Sequence, residues 1–101
     1  MICMETPPVR ADTYVELFDS SSTGLRAQAK GAAQDILSDG HKTLTLGLDN
    51  LSTVGDSAVA AVIVALRTMR DSGGTIQLRA RKSEHRRQLS LNGLDRIVTF
   101  V

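Results

Sequence analysis

The chain has 101 residues, 42% of them hydrophobic, with 12 Lys and Arg against 11 Asp and Glu for a net charge of +1. That length and composition suit one modest core and argue against a second domain, while a charge so near zero gives no global attraction to nucleic acid or anionic lipid. Cys3 is the single cysteine, which excludes an internal disulfide and makes it a small hydrophobe rather than a redox group.

In chain order, Ile2 to Met4 could form a short edge strand before Pro7 and Pro8 interrupt it, so residues 1–10 are set apart from a domain over 11–101. Thr13 to Phe18 reads as a strand built on Tyr14, Val15, Leu17 and Phe18. The run from Ser20 to Gly24 is a loop able to supply a helix cap. Leu25 to Ser38 follows as a helix with Leu25, Ala29, Ala32, Ala33, Ile36 and Leu37 mostly on one side, and Gly40 ends it. Thr43 to Leu48 alternates with period two, the mark of a strand with one face on a core. After turn formers over 49–55, Val59, Val62, Ile63, Leu66 and Met69 recur at helical spacing, and Gly73 stops that helix. Thr75 to Arg79 alternates again. Ser83 suits the cap of a last helix reaching Leu91, Asn92-Gly93 stops it, and Ile97 to Val101 returns as a short strand. Strands separated by helices predict an α/β domain whose mixed or largely parallel sheet, about four or five strands, packs against helices.

The start of the central helix carries the chemistry. Unpaired N–H groups and the dipole there favour a carboxylate or a phosphate, and Asp56 and Ser57 are placed either to cap the helix or, for Ser57, to carry a phosphate. A hydrolase reading of Gly55-Asp56-Ser57, similar to the nucleophile motif of GDSL esterases, lacks its partners. Lys82 stands three residues before His85 where that motif has Asp, and His41 lies in a turn after a helix. Cys3, His41 and His85 have no metal-ligand spacing, both histidines are expected to face solvent or be hydrogen-bonded, and Gly73-Gly74 lacks the Lys of a phosphate loop. No catalytic residue, metal or cofactor is expected. No run approaches the ~18 apolar residues of a membrane span, and the start has no signal-peptide pattern, so a cytoplasmic protein is expected. The basic group Arg79, Arg81, Lys82, Arg86 and Arg87 has no aromatic interleaved with it, which weakens a nucleic-acid reading in favour of a solvated or partner-facing surface.

The stretch from Leu46 to Leu78 resembles the central strand, loop and helix of the STAS domain, the family of anti-sigma-factor antagonists and stressosome proteins. The resemblance continues from Ala80 to Phe100 through Leu89, Asn92-Gly93-Leu94, Ile97 and Phe100. It implies a non-catalytic switch protein that binds an anti-sigma factor with serine-kinase activity, or a stressosome-like scaffold, through a surface including Gly55, Asp56, Ser57 and Ala58. It further implies control by phosphorylation at the helix start. Aligned by motif, Ser57 is the phosphorylated residue; aligned without gaps from Leu51 to Gly74, Asp56 takes that position as a permanent substitute for phosphate. Phe18-Asp19-Ser20-Ser21 stands where the family often has Gly-Glu-Leu-Asp. A second use of the same fold is a STAS subunit of a lipid-transport ABC ATPase assembly. A nucleic-acid-binding module acting through residues 79–87 ranks below both.

Overall fold

A computed structural model describes residues 13–101; the expected edge strand at Ile2 to Met4 lies outside them. Strand β1 (Tyr14–Glu16) is followed by helix α1 (Ser22–Ser38), β2 (Thr43–Gly47), α2 (Asp56–Asp71), β3 (Thr75–Arg79), α3 (Ser83–Leu91), a 3-10 turn (Leu94–Arg96) and β4 (Thr99–Phe100). The sheet runs β1-β2-β3-β4, and each of its pairings is parallel. The expectation that allowed a mixed sheet therefore finds no antiparallel pair among the described residues. Strands added in one direction by right-handed crossovers place the helices on one face of the sheet.

Alternation along the strands fits this arrangement. Leu44, Leu46, Ile76 and Leu78 are buried in the core with Ala29, Ala33, Ile36, Ala61, Val62, Ala65 and Met69 of the two long helices. Their neighbours in sequence point the other way. There Thr43 and Thr75 share a hydroxyl hydrogen bond, Thr45 donates to Gln77, and the Arg79 guanidinium lies 5.8 Å from the centre of the Tyr14 ring. The far face of the sheet is thus polar and internally bonded. Gly47 belongs to it because Tyr14 and Glu16 lean over the place where a Cβ would stand.

The edges of the predicted elements shift for local reasons. Helix α1 begins at Ser22 rather than Leu25 because Ser21 caps it, its hydroxyl accepting from the Gly24 amide at 3.0 Å. Phe18, expected in the first strand, lies beyond it and is 58% exposed. At the other end of the sheet Gly40 and Gly73 adopt positive φ, 86° and 76°, to turn each long helix into the next strand.

Candidate functional site

Because all the strands run the same way, the loops that leave their C-terminal ends (residues 17–21, 48–55 and 80–82) meet along one edge, and α1, α2 and α3 begin there. Side chains tie these loops together. Asp19 accepts from the Ser52 amide at 3.0 Å and from its hydroxyl at 2.5 Å, joining the first loop to the second. Asp49 accepts from the Arg81 amide at 2.7 Å, joining the second to the third. Asn50 donates to Glu16 at 3.1 Å, and the Gln28 amide clamps both backbone groups of Phe18 at 2.9 and 3.0 Å.

Two carboxyls three residues apart respond in opposite ways. The two hydrogen bonds from Ser52 hold the Asp19 carboxyl below its ordinary range. Burial, with the nearby charge of Asp49, pushes Glu16 up, against the pull of Arg79, Asn50 and Arg81.

The start of α2 corrects one expectation. Its N-cap is Gly55, in extended backbone, and no side chain caps it. Asp56 and Ser57 already belong to the helix, and a residue in helical conformation does not turn its oxygen back onto the first N–H groups as a cap does. Asp56 is exposed in the first turn, where its charge suits the dipole. The Ser57 hydroxyl turns sideways and meets the hydroxyl of Ser22, the first residue of α1, at 2.9 Å. Ala58 is buried in the core at 2% exposure, so of the four residues expected at this surface it serves as a footing for the helix. Leu51 and Val54, also buried, anchor the loop before it.

Helix α3 departs in the same manner. Lys82 rather than Ser83 is its N-cap, again without a side-chain cap. His85, expected to be solvent-facing or hydrogen-bonded, is 3% exposed, and its Nδ1 has no partner among the described residues. The cause lies in the helix's composition. His85 and Leu89 are its only buried residues, one turn apart, so the imidazole supplies half of an apolar face the sequence leaves short. His41 is half-buried where α1 gives way to β2, at the opposite edge from Ser57, whose hydroxyl partner is another serine.

Two members of the basic group have partners of their own. Arg79 stacks on Tyr14 on the far face of the sheet, Arg86 donates to the Ala80 carbonyl, and Arg81, Lys82 and Arg87 are exposed. Sequence reasoning missed Ser22, Asp19 and Ser52. They are joined to their partners across 33 to 35 residues, and only the Ser20–Gly24 loop, the turn formers over 49–55 and the Phe18-Asp19-Ser20-Ser21 stretch pointed near them.

No family model matches the sequence, and no curated protein does. Solved structures do. A crystal structure of the Thermotoga maritima protein TM1081, proposed to be an anti-sigma factor antagonist, superposes with a TM-score of 0.66 at 21% identity, over 91% of this chain and 80% of that one. An NMR structure of TM1081 gives 0.69 at 22% identity, over 100% and 84%. The chain has a STAS-like fold. In that fold, the edge built from residues 17–21, 48–55 and 80–82 is where the exposed helix starts and loops are gathered. No helix among the described residues is long and apolar enough to cross a membrane.

Proposed function

We propose that the protein is a non-catalytic regulatory switch of the anti-sigma-factor-antagonist kind. It acts in the cytoplasm as one domain over residues 11–101, and it binds a protein partner, an anti-sigma factor with serine-kinase activity or a stressosome-like scaffold, through the start of α2 and the adjoining loops. Phosphorylation of Ser57 controls that binding. One observation carries the reading: Ser57 stands at the mouth of a long helix without a side-chain cap, and its hydroxyl is held by nothing firmer than the exposed Ser22 hydroxyl. A phosphate at this place meets the favourable end of the helix dipole, while its charge of about −1.5 to −2 changes what a docked partner meets. The motif match of Asp56 and Ser57 to the STAS pattern gives the same assignment.

Binding of the partner measured by calorimetry, with phosphate located by mass spectrometry, tests it. Ser57→Ala is expected to keep the fold and bind like the unmodified protein, and Ser57→Glu to bind more weakly. If Asp56 already stands in for phosphate, Asp56→Ala instead strengthens binding and Ser57 is never modified. Indifference to all three variants removes this helix start from the interface and the proposal with it.

A further inference from the structure

On the outer surface of the two long helices an apolar groove is lined by Thr23, Arg26, Ala27 and Lys30 of α1 and Val64 of α2. Ala27 is exposed and Val64 half-buried. The stems of Arg26 and Lys30 extend the carbon surface while their heads remain at its rim. Neither head makes an ion pair with a described residue, and Arg67, one turn beyond Val64 on the same side of α2, adds a third exposed cation. On α1 the acidic residue closest in sequence is Asp35, five residues beyond Lys30; α2 carries Asp56 at its start and Asp71 at its end, four residues beyond Arg67. A carbon floor with a cationic rim complements one kind of surface: an apolar side chain flanked by carboxylates.

From this we infer that the groove is the docking site for an acidic amphipathic segment of the protein partner. The inference rests on the reading of the molecule as a protein-binding switch only in taking the occupant to be a protein. The groove also leads to the candidate phosphosite. Ser22 precedes Arg26 by one turn, Ser57 precedes Val64 by two, and the two hydroxyls meet at the groove's end. A phosphate on Ser57 would stand about 6 Å along α1 from Arg26, one helical turn, where it competes for that guanidinium and repels the carboxylates of the segment.

The test titrates the full ¹⁵N-labelled chain with a synthetic helical peptide of about four turns that carries Leu on one stripe and Glu on both flanks. A second peptide with every Glu replaced by Lys serves as its mirror. Saturable amide shifts at Ala27, Lys30 and Val64 with the acidic peptide alone are expected. Arg26→Glu combined with Lys30→Glu, shown by circular dichroism to be folded, should weaken them about tenfold or more, the effect of roughly 1.4 kcal/mol from lost and reversed charge pairs. Absence of saturable shifts, equal binding of the basic peptide, or shifts at these residues with anionic vesicles or duplex DNA but not with the peptide would each overturn the inference. Peptide binding that is undiminished in Ser57→Glu leaves the groove standing and removes phosphorylation control, so the two readings fail separately.

Discussion

The two edges of the sheet are built from different materials. Where the helices lead into strands, the turns are made chiefly by backbone: positive-φ glycines at Gly40 and Gly73, and a close approach at Gly74, where an added Cβ would stand 2.7 Å from the Lys42 carbonyl and 2.9 Å from the Met69 methyl. A side-chain bond from Lys42 Nζ to the Ser72 carbonyl at 2.8 Å also joins the two turns. Where strands lead into helices, the loops are held by side chains instead, Asp19 to Ser52, Asp49 to the Arg81 amide, Asn50 to Glu16. A glycine turn fixes the path of the chain and offers a partner nothing to read. A network of exposed oxygens and hydroxyls fixes the path and leaves a pattern of charge on the surface, which is why the candidate site belongs to that edge.

The comparison can be broken hardest at what both edges share. Val62, fully buried between sheet and helices, supports either end. Val62→Asp is expected to cost several kcal/mol out of the roughly 5–15 that hold a domain of this size, leaving an insoluble or unfolded protein. An unchanged melting temperature would show that this face is not core. Next in size is Gly74→Ala, which drives a methyl into backbone on both sides and is expected to cost about 1–3 kcal/mol. The paired control is Gly31→Ala, where the methyl meets nothing within 4 Å and helix propensity gives back about 0.5–1 kcal/mol. Equal melting temperatures for the two variants would deny the glycine edge its tight packing.

The smallest effects come from the side-chain edge and are read through pH. The folded pKa of Asp19 is lowered, so its contribution to stability is present above the ordinary carboxylate range and is lost as pH falls through the depressed value. Glu16 is raised, so it favours the fold only while protonated and that contribution is lost as pH rises. At neutral pH Asp19→Asn should therefore lower stability and Glu16→Gln raise it, and denaturant titrations should find both differences shrinking in acid. Differences of the same sign would contradict the assigned environments.

Most of the frame was legible in the residues themselves. The alternation of Thr43 to Leu48 and the helical spacing from Val59 to Met69 come from periodicities that a single apolar face imposes, so they survive without knowledge of any partner element. What was hidden depends on contacts between distant segments. Asp56 and Ser57 have the chemistry of caps, yet the true cap is one residue earlier because backbone conformation, not side-chain type, decides where the helix begins. His85 was expected to face solvent or be hydrogen-bonded, and the shortage of apolar residues on α3 accounts for its burial. The bonds of Asp19 to Ser52 and of Ser22 to Ser57 follow no local period; they exist because parallel strands bring successive loops side by side.

The Ser22–Ser57 contact carries one more consequence. Two free hydroxyls form a reversible junction, since either oxygen can give its proton to the other. Esterification of one removes that symmetry: a phosphoserine brings several acceptors and no hydroxyl to donate, so Ser22 alone could supply the proton and would be pointed in one direction. A chemical mark placed on α2 would in that way become a change of orientation at the first turn of α1, and the surface reporting it would span two helices whose joined serines lie 35 residues apart in the chain.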